Sequence, residues 1–386
     1  MQNRMPIIFQ TMAATALLLA LAACGGGGGA APLPPTSTEP PGGQLANAAV
    51  DAYVQAELQR QTIPGMALVV RKNGRVVYAK GYGYSSMEKQ TPATTEQRFQ
   101  IGSISKQFMG AAVMLLVEDG KIELDEKIGK YLGAVPAEWD TITVRHLLAH
   151  TSGLVKDPDI AALSTDRVYT SDDVLTLMRQ YKPLTEPGQT YLYSNIGYML
   201  MGVIVEKITG AFYGDLIQNR IFTPLGMTTA RIIDSGNTSA TGYVIKDGGL
   251  RPVIMSAMAG SYKSLVRTGA GGIEMSASDL AKWDESLSTE KVLKQSSIAQ
   301  MWTQSALIEK HTDYTIGYGL GWFLSDYRNH PKVYHAGGMY SFTTDYLRYT
   351  NDQLSVIVLT NLGGSNPEPM SRTIGEMFVP GTWPPK

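Results

Sequence analysis

Phe99-Gln100-Ile101-Gly102-Ser103-Ile104-Ser105-Lys106 is the stretch that decides the fold, because in it a strand gives way to a long apolar helix. Lys106 follows Ser103 by three positions, and residues i and i+3 share one face of a helix. The hydroxyl and the amine can therefore meet, while Ser105 points elsewhere. A helix start also offers free N–H groups and positive dipole to an anion forming beside Ser103. The helix continues Met109-Gly110-Ala111-Ala112-Val113-Met114-Leu115-Leu116-Val117, with no acid before Glu118. A lysine in such apolar surroundings loses proton affinity and becomes a usable base. The pair suits acyl transfer. The same residues also fit a plainer reading, with Ser103 as helix N-cap and Lys106 as a partly solvated helix residue. Ser-x-x-Lys recurs at Ser86/Lys89 and Ser288/Lys291, in polar stretches without the strand-to-helix context.

Outward from this stretch, strands gather at both ends of the chain. Met66–Arg71 and Arg75–Tyr82 read as a hairpin joined by Lys72-Asn73-Gly74, where Asn-Gly is a strong turn signal. A helix over about Leu45–Arg60 precedes them and stops at Ile63-Pro64-Gly65. The last third carries strands at Gly319–Leu324, Lys332–His335, Ser341–Thr350 and Leu354–Leu362, then a closing helix over Pro369–Phe378. Between these ends the chain reads as helices and loops. Ser171-Asp172-Asp173 caps Val174–Tyr181, Asn195–Thr209 is an apolar helix ended by Gly210, and Ser276–Asp279 opens a helix through Trp283. The expected fold class is α/β, with an antiparallel sheet built from both chain ends, flanked by helices, and an inserted mostly helical region. The α/β part covers about 45–125 and 265–386, and the helical part about 126–264.

Residues 1–23 read as an export signal, with Arg4 as the only charge and an Ala/Leu-rich run from Met12 to Ala23. That run is too short to span a membrane. Leu21-Ala22-Ala23-Cys24 resembles the lipobox of bacterial lipoproteins, which implies cleavage before Cys24 and a lipid on its thiol. Cys24 is the only cysteine, so no intramolecular disulfide forms. Two or more acyl chains would give stable membrane anchoring. Gly25 after the cysteine implies, by likeness to Gram-negative lipoproteins, the periplasmic face of the outer membrane. Residues 24–44 form a Gly/Pro-rich tether with a reach of roughly 25 Å. The formal charge is −1 and no Lys/Arg cluster occurs, which leaves nucleic acid no electrostatic hold.

Acyl transfer also needs a proton carrier for the leaving group, donors for the oxyanion and a group that orients the substrate. Pro187-Gly188-Gln189-Thr190-Tyr191-Leu192-Tyr193-Ser194-Asn195 sets Tyr193 and Asn195 two apart before an apolar helix, on one side of an extended segment. A phenol can relay a proton, and a carboxamide can both donate to a carbonyl and accept from a lysine. Val333-Tyr334-His335-Ala336-Gly337-Gly338 reads as a strand whose small residues admit a substrate backbone. Its backbone N–H groups can face an oxyanion.

The ordered set Ser103-x-x-Lys106, Tyr193-x-Asn195 and His335-x-Gly337 resembles the serine β-lactamase and penicillin-binding-protein superfamily. Its nearest kin look like class C β-lactamases, D-alanyl carboxypeptidases and the related family VIII esterases. Leu147-Leu148-Ala149-His150-Thr151-Ser152-Gly153-Leu154 and Ala270-Gly271-Gly272-Ile273 add to the likeness, which covers about 45 to 380. The resemblance implies a β-lactamase/transpeptidase-like fold and an acyl-enzyme on Ser103. Lys106 and Tyr193 would share acid–base work, and Asn195, His335, Gly337 and Gly338 would bind substrate. The oxyanion hole would be the N–H groups of Ser103 and Gly338, and water would release the product without metal or organic cofactor.

One position departs from the class C pattern. His335 stands where lysine is usual, and histidine is largely neutral at pH 7. The anchor for a substrate carboxylate is weaker, which moves the expected substrate toward small esters or D-amino-acid amides and peptides. A true class C-like β-lactamase and a penicillin-binding receptor without turnover are the alternatives. Neither the Ser-Asp-Asn of class A nor a Gly-x-Ser-x-Gly elbow occurs. His146 and His150 lie four apart but lack the glutamate of a zinc helix, and read as capping or packing residues. Substrate choice is expected from loops such as 155–170 and 235–265.

Overall fold

The computed structural model describes residues 41–158, 169–233, 240–253, 269–327 and 329–381. The signal, Cys24, most of the tether and much of the two expected specificity loops lie outside them. In chain order the strands are β1 (Gly65–Lys72), β2 (Arg75–Ser86), β3 (Thr91–Pro92), β4 (Phe99–Gln100), β5 (Arg231–Ile232), β6 (Gly242–Lys246) and β7 (Gly249–Val253). They continue with β8 (Ile273–Met275), β9 (Ala306–Lys310), β10 (Tyr314–Tyr318), β11 (Phe323–Tyr327), β12 (His330–Met339), β13 (Phe342–Tyr349) and β14 (Leu354–Thr360).

Nine strands form one antiparallel sheet in the order β3-β2-β1-β14-β13-β12-β11-β10-β9. The two chain ends meet inside it, Met66 opposite Thr360 and Lys72 opposite Leu354. Asn73 and Gly74 take φ of 52° and 76°, the left-handed pair that a two-residue hairpin requires. Strand β1 is buried on both faces. Ala67 and Val69 join the core around the Ser105–Glu118 helix, while Met66, Leu68 and Val70 pack with residues of the Pro41–Gln61 and Glu368–Phe378 helices. The Ser105–Glu118 helix is buried all round from Ser105 to Leu116, as its unbroken apolar run requires.

Three expectations need correction. The first helix begins at Pro41, so the last four residues of the expected tether are helical. Gly319–Leu324 is not one strand. Chain reversal between β10 and β11 occupies Gly319–Trp322, with Gly321 at φ +88°. Leu320 and Trp322 are buried there because the turn lies on the Ser105–Glu118 helix, where a Cβ on Gly110 would stand 2.6 Å from the Leu320 carbonyl. Lastly, the mostly helical middle contains β5 and the β6–β7 hairpin, turned by Asp247 and Gly248 at φ 51° and 72°. Asp-Gly is itself a hairpin signal.

Candidate active site

Strand β4 leads through a 3-10 turn, Gly102–Ile104, into the Ser105–Glu118 helix. The N-caps of turn and helix are Ile101 and Ile104, and no side chain caps either. The Ser103 hydroxyl is therefore not spent as a cap. Ser103 is half-buried, whereas Ile101, Gly102, Ile104 and Lys106 are buried around it. Gly102 takes φ +54°, and a Cβ there would lie 2.7 Å from the Gly338 nitrogen. Glycine is needed twice over, for the backbone angle and for the close approach of β12.

Lys106 is 0% exposed. Its Nζ donates to Ser103 Oγ at 3.1 Å, to Asn195 Oδ1 at 2.8 Å and to the Ala270 carbonyl at 2.6 Å. All three acceptors are neutral, so burial dominates and brings the ammonium down to about 7; Asp157 opposes this and Lys156 adds to it. Tyr193 donates to Ser103 Oγ at 2.8 Å, so lysine and phenol converge on one oxygen. Burial holds the Tyr193 proton on, with the Ser103 contact opposing. Ser105 turns away and accepts from the Ile273 N–H at 3.2 Å.

Ser194 spaces Tyr193 and Asn195. It is the N-cap of the Asn195–Thr209 helix, accepting from Gly197 N, and its own Oγ donates to the Val155 carbonyl at 2.8 Å. Its N–H donates to His150 Nδ1 at 3.0 Å, which assigns the neutral imidazole proton to Nε2. The buried His150 ring lies 4.1 Å from the Tyr193 ring and backs it. Burial keeps His150 neutral well below its usual range. His146 is a capping residue, its Nδ1 accepting from Thr143 N at 3.3 Å.

His335 is carried by β12 but does not face a cleft. It is 2% exposed, its Nε2 lies 3.0 Å from the Tyr318 hydroxyl, and its Nδ1 lies 2.6 Å from the Ala336 carbonyl. Burial, with the Lys106 charge, pushes it down to about 3. Strand β12 pairs with β11 only through Tyr334, so its His335–Met339 end has no β11 partner. Ala336 and Gly338 are exposed there, and a Cβ on Gly338 would meet open space. Gly337 faces the other way, where a Cβ would overlap the Ile101 carbonyl. The room left by Gly337 is thus filled by the nucleophile turn rather than by a substrate.

The structure brings Ser103, Lys106, Tyr193 and Asn195 into one hydrogen-bonded group, with Gly338 against the Gly102 backbone. The two decoy serines do other work: Ser86 Oγ accepts from Lys89 N in a turn, and Ser288 Oγ accepts from Arg348. Sequence reasoning missed Asp157, whose Oδ1 accepts from Asn195 Nδ2 at 2.6 Å, and the Ala270 carbonyl. It read His150 as packing without its link to Ser194. The Ala270–Ile273 and Leu147–Leu154 phrases and the 155–170 loop marked these segments, without a role for Ala270, His150 or Asp157.

The Beta-lactamase family model matches residues 50–376, and the chain belongs to that family. Its superfamily comprises serine hydrolases together with penicillin-binding proteins. Among curated relatives, Penicillin-binding protein 4* of Bacillus subtilis is 28% identical over 314 residues, covering 76% of this chain and 67% of its own length. Protein flp of Staphylococcus aureus is 28% identical over 326 residues, covering 81% of this chain; the match spans 62% of that protein's length. The octameric penicillin-binding protein homologue from Pyrococcus abyssi superposes with a TM-score of 0.77 at 27% identity, over 86% of this chain and 77% of that one. EstCE1, a hydrolase with promiscuous acyltransferase activity, shares the fold (TM-score 0.73, 21% identity, 87% of this chain, 98% of that one). So does D-amino acid amidase from Ochrobactrum anthropi SV3 (TM-score 0.70, 22% identity, 86% and 96%).

Proposed function

We propose that the chain is a serine hydrolase that forms an acyl-enzyme on Ser103 and acts on small esters or D-amino-acid amides and peptides. The observation that carries this is a buried lysine at about 7, hydrogen-bonded to a half-buried serine that also receives a tyrosine hydroxyl. Neutral Lys106 takes the Ser103 proton as Oγ attacks the scissile carbonyl. Tyr193, within 2.8 Å of the same oxygen, passes a proton to the leaving group. Asn195 orients the substrate amide, and the N–H groups of Ser103 and Gly338 receive the oxyanion. Water then attacks the ester with the same residues in reversed roles.

The neutral, enclosed His335 favours esters and amides over substrates held by a carboxylate, such as β-lactams. The fold shared with a hydrolase of promiscuous acyltransferase activity and with a D-amino acid amidase is consistent with that choice. Intact-mass measurement after a fluorophosphonate tests the nucleophile: one adduct is expected on the parent chain and none on Ser103→Ala. Turnover of a nitrophenyl ester should exceed that of a chromogenic cephalosporin; the reverse would return the chain to the β-lactamase reading. An adduct with no turnover of either would return it to the receptor reading. We further propose anchoring through Cys24, supported by the sequence alone. Membrane fractionation of Cys24→Ser should move the protein to the soluble pool.

A further inference from the structure

Beyond Asn195 the next group is a carboxylate. Asp157 is exposed, yet its Oδ1 is held at 2.6 Å by Asn195 Nδ2, while Asn195 Oδ1 accepts from Lys106. The Asn195 backbone N–H also donates to the Lys156 carbonyl at 2.6 Å, which ties the 156–157 segment to the start of the Asn195–Thr209 helix. The result is a continuous chain of contacts, Asp157 to Asn195 to Lys106 to Ser103, ending on the attacking oxygen. A substrate that meets the Asn195 amide meets a fixed negative charge beside it.

We propose that Asp157 makes this site selective for substrates that carry a protonated amine on the side of the scissile bond addressed by Asn195. The proposal rests on the serine-hydrolase reading and adds the charge of the substrate to it. An exposed carboxylate pinned by a hydrogen bond presents its charge at one place and costs little further ordering when an ammonium arrives. Lys156 is exposed and of opposite sign. It does not cancel the effect at short range, because Asp157 is anchored on Asn195 and acts on Lys106 more strongly than Lys156 does. The remaining titratable rings packed beside Tyr193 are neutral: burial keeps His150 and His335 uncharged.

The test uses a matched pair, an aminoacyl nitrophenyl ester with a free amine and its N-acetyl form, assayed at a pH where the amine is protonated. The full chain should prefer the free amine by about tenfold or more in kcat/KM, mostly through KM. That preference should shrink as salt rises, since the Debye length falls from about 10 Å at 0.1 M to about 3 Å at 1 M. Asp157→Asn should bring the ratio to near one, and Asp157→Glu should restore most of it. The ratio is taken within each protein, so a general loss of activity does not mimic the effect. Turnover of both esters without preference, or a preference that survives in Asp157→Asn, would overturn the role of Asp157 and leave the hydrolase reading standing. Absence of turnover together with absence of a fluorophosphonate adduct would overturn the hydrolase reading and this inference with it.

Discussion

Among the described residues two lysines are buried, on opposite faces of one sheet, and they differ in what surrounds them. Lys106 lies beneath the nucleophile turn and touches only neutral acceptors, one of them the Ser103 hydroxyl. Lys332 lies in β12, its Nζ 4.1 Å from the Tyr334 ring, within the field of Asp345, Glu368 and Arg372. Burial lowers both; one acid, Asp157, opposes it at Lys106, and two, Glu368 and Asp345, oppose it at Lys332. Asp345, also buried, is raised by the same loss of water. Burial alone therefore does not make a base. A lysine becomes one when its partners carry no charge and one of them has a proton to give.

The largest expected effect breaks this comparison outright. Lys106→Ala should cut kcat/KM for a nitrophenyl ester by about 10³-fold, whereas Lys332→Met should keep most activity. Lys332→Met should instead cost roughly 3–5 kcal/mol of stability by leaving the buried Asp345 without its neighbouring cation. Equal losses of activity in the two variants would end the distinction. Next in size is the contact between β12 and the nucleophile turn. Gly337→Ala drives a methyl into the Ile101 carbonyl and should cost about 10²-fold through displacement of Ser103. Gly338→Ala, whose methyl would meet open space, should lose far less, and a reversed order would contradict the packing described.

The pH profile sharpens the same contrast. Lys106 serves as base only when neutral, so kcat/KM should rise with pH through about 7 and then level. Lys332→Met should leave that limb in place. Stability carries the matching sign. Between about 7 and about 10.4 the unfolded chain holds the Lys106 proton and the folded chain does not, so this site favours folding more as pH rises. Urea unfolding across this window should show the slope in the parent chain and a smaller one in Lys106→Ala. The smallest effect is expected at His335. It positions β12 through Tyr318, so His335→Ala and Tyr318→Phe should each cost about tenfold in kcat. Their double variant should cost little more than either, because they share one contact.

Much of the fold was legible in local chemistry. Asn73-Gly74 requires a two-residue hairpin, Ser194 and Gly210 bracket one helix, and Leu354–Leu362 is an apolar run that forms a strand buried on both faces. The Gly319–Leu324 segment misled because Leu320 and Trp322 mimic a strand's alternation while packing on a helix instead. The β6–β7 hairpin was passed over although Asp247-Gly248 signalled it. At the site, Ser103, Lys106, Tyr193 and Asn195 could be named from spacing and resemblance. Asp157 could not, since no spacing links an exposed loop carboxylate to an asparagine 38 residues away.

By itself the sequence determined which groups could react: a serine and a lysine on one helical face, with a phenol and a carboxamide set two apart. Tertiary structure decided how they stand toward one another. Lys106 meets acceptors 89 and 164 residues away in the chain, and enclosure among them brings its proton affinity toward neutrality. The same enclosure turns His335 inward onto Tyr318, where sequence reasoning had set it before a substrate. Proton affinity depends on how much water the fold removes and which charges it leaves nearby, and both are properties of packing rather than of order along the chain.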